Sequence, residues 1–200
     1  MSLERDRGRS AEIARKTGET EVEVSIRLDG HGVSDVASGL GFLDHMLSAL
    51  AKHGGFDLAL RARGDVEVDD HHTVEDCAIV LGRALDEALG DRGGIARFGS
   101  AYAPLDECLT RAVVDLSGRP WPEIDLDFDR ERIGEIATEN IIHFFRSFAI
   151  EGRMALHIDL MRGDNDHHKA ESAFKALALA LRAAVSRRGD DIPSTKGNLG

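Results

Sequence analysis

The chain has 200 residues, 42% of them hydrophobic, enough for one substantial core or two small fused ones. With 25 Lys and Arg against 36 Asp and Glu the net charge is -11, which argues against nonspecific binding to nucleic acid or to an anionic membrane; an anionic small substrate would need a local cluster of Arg and Lys. No apolar run reaches the roughly 18 residues of a membrane span and no secretory signal is visible, so a cytoplasmic protein is expected, with Cys77 and Cys108, which make no metal spacing, as buried reduced thiols.

Taken in order, residues 1 to 16 are charged and read as a frayed terminus. Val22, Val24, Ile26 and Leu28 alternate, predicting a half-buried strand over 21–28, and a second short strand follows the Asp29-Gly30-His31-Gly32 turn at 33–37. A helix over 42–53 stops at His53-Gly54-Gly55. A strand over about 56–68 leads to His71-His72, and Val74, Ala78, Leu81, Leu85 and Leu89 give a helix over 73–89 one buried face. Asp91-Arg92-Gly93-Gly94 reads as a connection, with a boundary between about 90 and 100. Strands are then expected at 109–116 and 122–128, a helix at 137–150, a strand at 154–161 and a helix at about 167–188. Residues 189–200 have no periodicity and read as disordered.

One pattern recurs. His71-His72-x-x-Glu75 is matched by His167-His168-x-x-Glu171, and His45 precedes the first copy much as His143 precedes the second. On a helix, His71 and Glu75 at i and i+4 share a face and could grip one cation, while the adjacent His72 points about 100° away. Neighbouring histidines therefore suit two metals, and the mixture of imidazole and carboxylate favours manganese, iron or zinc. An isolated His-His pair is commonly a solvated loop feature, and His45 or His143 alone reads as a satisfied histidine on a helix face. Chance does not explain three ligand types recurring in one order. The chain is therefore read as duplicated, with a first half over 1–93 and a second half over 94–200 in one compact domain. The expected class is α+β: two halves of strand-strand-helix-strand-helix type, with helices packed between two sheets.

The runs Gly41-Phe42-Leu43-Asp44-His45-Met46-Leu47, Asp70-His71-His72-Thr73-Val74-Glu75-Asp76, Leu116-Ser117-Gly118-Arg119-Pro120, His143-Phe144-Phe145, Asp166-His167-His168-Lys169-Ala170-Glu171 and Pro193-Ser194-Thr195-Lys196-Gly197 together resemble the imidazoleglycerol-phosphate dehydratases of histidine biosynthesis. The resemblance implies a helical bundle between two four-stranded mixed sheets, a homo-oligomer of 24 subunits with sites where subunits meet, and two manganese ions per active site. It implies one metal held by His45, His71, Glu75 and His168 and another by His143, His167, Glu171 and His72. The implied substrate is a small, anionic phosphorylated imidazole, imidazole glycerol phosphate, dehydrated to imidazole acetol phosphate through an imidazolate or diazafulvene-like intermediate stabilised by the metals. Glu19 and Glu171 are the implied acid and base, and His53, Arg97, Arg119, Lys175, Ser194, Thr195 and Lys196 the implied binders of substrate and phosphate, with Glu19 also touching substrate. The tail is expected to order over bound substrate. Asn140 and Ile141 fall in a variable part of their helix and are expected to bear on packing or subunit contacts, as are Ala178, Leu179 and Ala180 in the last helix.

Two other classes keep the histidines. A noncatalytic shell stapled by metals gives no reason for Arg97, Arg119, Lys175 and the Ser-Thr-Lys tail. A dinuclear metallohydrolase usually carries more Asp ligands.

Overall fold

Apolar residues at every second position build the first sheet. In β2 (Thr20–Arg27) Val22, Val24 and Ile26 are buried while the intervening side chains face outward. On one side β2 pairs antiparallel with β1 (Ser10–Lys16), and on the other with β4 (Asp57–Gly64), which in turn pairs parallel with β3 (Ser34–Ala37), giving the order β1-β2-β4-β3. The computed structural model describes residues 8–191, 193 and 194.

Two helices belong to this sheet, α1 (Gly41–Gly54) and α2 (His71–Leu89). The chain then repeats the scheme with β5 (Phe98–Leu105), β6 (Cys108–Asp115), β7 (Trp121–Asp125), a short hairpin of β8 (Arg132–Ile133) and β9 (Ile136–Ala137), α3 (Thr138–Glu151), β10 (Ala155–Arg162) and α4 (Asp166–Ala184). The second sheet has the order β5-β6-β10-β7, with the same antiparallel, antiparallel and parallel senses as the first. Helix α1 packs on α4 and α2 on α3, so the four helices fill the space between two four-stranded mixed sheets. The fold is α+β, as expected.

The core between these layers is continuous. Phe144, Phe145, Phe148 and Phe174 interlock at its centre, with ring centroids of Phe145 and Phe174 4.6 Å apart. Burying each ring contributes roughly 1.5–3 kcal/mol. Ala173, Ala176 and Ala180 of α4 are fully buried because β5 and β6 lie close on that helix.

Several expectations are corrected. Residues 10–16 are not frayed: they form β1, which inserts Ala11 and half-buried Ile13 on the core side and pairs along its length with β2. Alternating charges concealed that two-residue period. Likewise 98–105, to which no element was assigned, is β5, so each half contributes four strands to its sheet where the periodicity indicated three. Strand β4 ends at Gly64, not 68, because the chain turns there, with the Val68 N–H donating to the Asp65 carbonyl at 2.8 Å and Val68 left exposed. Helix α4 stops at Ala184, not 188, and the start of the tail is held: the Gly94 N–H donates to the Asp191 carbonyl at 2.9 Å and Arg97 Nη1 to the Pro193 carbonyl at 2.9 Å. Disorder is therefore the wrong reading for 189–191 and 193–194.

Candidate metal centre

Both His-His pairs stand at helix N-termini, where free backbone N–H groups need acceptors. At the start of α4, Asn165 supplies one, accepting from the N–H of His167 at 2.9 Å and of His168 at 3.4 Å. At the start of α2, Asp69 accepts from the His71 N–H at 2.8 Å. These caps fix where the first helical turn begins, and hence which way each imidazole leaves the helix.

Helix pairing then assembles two groups. On α2, His71 and Glu75 share a face, and α3 brings His143 against it: Nε2 of His143 lies 2.8 Å from Glu75 Oε1, and its ring stacks on His71 at 4.9 Å. On α4, His167 and Glu171 share a face, and α1 brings His45: Nε2 of His45 and of His167 each lie 3.2 Å from Glu171 Oε2. In each group one potential ligand atom per residue lies within 4.8 Å of the others. The donor set, two imidazoles and one carboxylate, fits a borderline divalent ion such as manganese, iron or zinc, and leaves room for further ligands.

This grouping differs from the one the resemblance implied. Within one chain His45 stands with His167 and Glu171, not with His71 and Glu75, and His143 stands with His71 and Glu75, not with His167 and Glu171. The reason is the packing of α1 on α4 and of α2 on α3. His72 and His168 lie outside both groups, as the 100° step between neighbours requires. His72 Nδ1 faces Asp65 at 3.1 Å and Glu19 at 3.9 Å; the hydrogen bond to Asp65 raises the imidazole pKa. His168 Nδ1 faces Glu107 at 2.9 Å. Glu19 and Glu107 occupy equivalent turns, between β1 and β2 and between β5 and β6.

Glu107, Cys108 and His168 also lie within ligand distance of one another. They make a poor third group: Cys108 is buried, its thiol is pushed up to about 11 by burial and by the Glu107 carboxylate, and it donates toward Glu107 and the Asn165 carbonyl. Glu107 is occupied by the backbone N–H of Asn165 and by His168, which hold its carboxyl far below the usual range.

The expected phosphate binders fall in two places. Lys175 Nζ contacts Glu171 Oε1 at 2.7 Å. Burial favours the neutral form of Glu171, but Lys175 and His45 outweigh it and hold the carboxyl at about 2. His53 lies near enough that burial, and then the Lys175 charge, lower its pKa. Arg97, by contrast, donates through Nε and Nη2 to Asp115 at 2.7 and 3.1 Å, beside the turn that carries exposed Arg119, since the Leu116 N–H donates to the Arg97 carbonyl. Ser194 is half-buried just beyond Pro193; Thr195 and Lys196 lie outside the described residues. The periodicity passed over Asp65, Asp70, Glu107, Asn140 and Asp166 as partners of the histidines and their helices, although the repeated Asp directly before each His-His pair was a visible signal.

Fold and site together define an α+β protein of two matching sheets around four helices, with a candidate divalent-metal group on each helix pair. The family model for imidazoleglycerol-phosphate dehydratase matches residues 38–181. An imidazoleglycerol-phosphate dehydratase of Salinibacter ruber is 55% identical over 96% of this chain and 96% of its own length. One from Phytophthora nicotianae is 58% identical over 96% of this chain, which spans only 42% of that longer protein. The crystal structure of the enzyme of that name from Staphylococcus aureus superposes with a TM-score of 0.81 at 39% identity, over 89% of this chain and 99% of that one. The chain belongs to the imidazoleglycerol-phosphate dehydratase family.

Proposed function

We propose that the protein removes water from imidazole glycerol phosphate to give imidazole acetol phosphate, as a step of histidine biosynthesis in the cytoplasm. The single observation that carries the reading is the pair of His–His–Glu groups, each built on a two-helix contact, in a chain of this family. No helix among the described residues is long and apolar enough to cross a membrane.

The difficulty of the reaction is loss of a proton from a carbon beside the imidazole ring, with no carbonyl to accept the charge. Two manganese ions, one at each group, would supply the Lewis acidity that withdraws charge from the ring. The residues of this chain supply proton transfer and positioning. Glu171, beside Lys175 and one metal group, would be one of the two carboxylates that exchange protons with substrate. Glu19, exposed and 3.9 Å from His72 Nδ1, would exchange protons with substrate and solvent. The substrate phosphate would be met by Lys175, His53, Arg119, Arg97 and Ser194, together with Thr195 and Lys196, which lie outside the described residues.

His72 and His168 stand outside the two His–His–Glu groups of their own chain, which supports sites completed by neighbouring copies; the family resemblance makes the assembly a homo-oligomer of 24 subunits. Matching strand orders likewise support a duplication with halves at 1–93 and 94–200.

The test is turnover of imidazole glycerol phosphate by the purified protein after chelation and after return of manganese. Activity that disappears and returns with the metal is expected. A folded, metal-loaded protein with no turnover would refute the reading.

A further inference from the structure

His71 has a partner that the metal groups do not explain. Its Nδ1 lies 2.9 Å from Oδ1 of Asn140, on the first turn of α3 and only 3% exposed. The other end of that amide, Nδ2, donates to Asp70 Oδ2 at 2.9 Å. Asp70 is itself buried, and both its oxygens accept from groups that can only donate: Oδ1 from Arg132 Nη2 at 2.8 Å, Oδ2 from the Ala137 N–H at 2.9 Å.

The direction of each bond follows from this. An oxygen already serving Arg132 or a backbone N–H faces Asn140 as an acceptor, so the amide must present Nδ2 to it. The amide oxygen is then turned to His71, and an oxygen can only accept, so His71 must carry its proton on Nδ1. Its Nε2 lone pair is left free, and Nε2 is the atom that points toward Glu75.

We propose that Asn140 is a positioning residue which, anchored by Asp70 and Arg132, selects the Nδ1–H tautomer of His71 and fixes its ring for metal binding through Nε2. The inference rests on the reading of His71, Glu75 and His143 as a metal group. Partners of this kind orient ligating histidines, and losing one typically costs about 10- to 100-fold in metal affinity. The arrangement gives Asn140 a role beyond packing. His72 and His168 face carboxylates through the same Nδ1 atom, whereas His71 faces a neutral amide, so its tautomer is set without an added charge beside the group.

The test is manganese titration of the full-length protein, read by the electron paramagnetic resonance signal of the free ion, for wild type, Asn140→Leu and Asn140→Asp. Leu keeps the branched, four-heavy-atom outline of Asn but offers no acceptor, whereas Asp keeps an acceptor for His71, and a proton shared between it and the buried Asp70 takes the place of the donated amide N–H. Asn140→Leu should bind one of its manganese equivalents about 10-fold or more weakly; Asn140→Asp should stay within about threefold of wild type. A merely structural tie between α3 and Asp70 would weaken both variants alike or neither, and either result overturns the proposal. Should Asn140→Leu fail to fold, Asn140→Ala, which keeps a strong helix former, is read in its place against the same limits. Wild type that binds no manganese would instead refute the metal reading itself.

Discussion

Asp70 and Asp166, each directly before a His-His pair, are both buried and both hold the segment between β7 and α3. Asp166 accepts from the backbone N–H groups of Asp129 and Arg130, and Asp70 from that of Ala137 and from Asn140 and Arg132. The segment is thereby stapled across the N-termini of α2 and α4, the two helices that carry the His-His pairs, which explains why the β8–β9 hairpin sits there.

The two aspartates should not cost the same to remove. Asp166→Ala leaves Lys169, only 5% exposed, with Asp129 as its one remaining ion-pair partner among the described residues, and breaking a buried pair costs about 3–5 kcal/mol. Asp70→Ala leaves the buried but neutral Asn140 amide without its acceptor, and leaves Arg132, which is half exposed and can turn to water, so its cost is about 1–3 kcal/mol. Urea unfolding of both variants checks the order; an equal or reversed cost would contradict it.

Gly82 sits where α2 meets the C-terminal end of α3. A Cβ there would lie 2.8 Å from the Phe148 carbonyl oxygen and 2.9 Å from the Gly152 nitrogen, both backbone atoms that cannot swing aside. Helix propensity would favour Gly82→Ala by about 1 kcal/mol, but overpacking costs about 1–3 kcal/mol, and α2 and α3 must part. A net loss of stability of up to about 2 kcal/mol is expected, together with weaker metal retention, because the same helix contact holds His143 against His71 and Glu75. A stabilised Gly82→Ala protein would contradict this packing.

Asp57 gives a pH signature away from the site. The N–H of His31, against burial, and then the N–H of Val33 and Arg27 hold its carboxyl at about 2 instead of 3.8. The folded state thus prefers the ionised form, so its contribution is complete above 3.8 and is lost as pH falls toward 2. Asp57→Ala should be about 1–2 kcal/mol less stable than wild type at neutral pH. That gap should narrow as the solution is acidified through this window, and denaturant melts at stepped pH would expose a constant gap if the assignment were wrong.

Arg97 has a left-handed backbone, with φ 69°, and its guanidinium spans Asp115 and the Pro193 carbonyl. Arg97→Ala should release the start of the tail and speed proteolytic cleavage after residue 190 severalfold without unfolding the core. Unchanged cleavage would mean that the tail is held by other contacts.

Much of this was legible in the sequence, and the failures have physical causes. The helices were visible because Val74, Ala78, Leu81 and Leu85 repeat with the helical period, and the ligand residues because the same three types recur in order. Strands β1 and β5 were hidden: each lies at a sheet edge, and β1 carries Glu12, Arg15 and Lys16 while β5 carries Gly99 and Pro104, so their alternation is weak. The partition of ligands between groups was not legible either. Spacing along a helix shows that His71 and Glu75 share a face, but only the contact of α2 with α3 decides that His143, and not His45, joins them. Asn140 was read as a packing or subunit-contact residue for a related reason, because its bonds to His71 and Asp70 are made only on folding.

The most direct test is an anomalous-scattering map of crystals grown with manganese. Two ions per chain are predicted, one touching His45, His167 and Glu171 and the other touching His71, Glu75 and His143. A single ion per chain, or an ion bound jointly by His45 and His71 of one chain, would contradict the account.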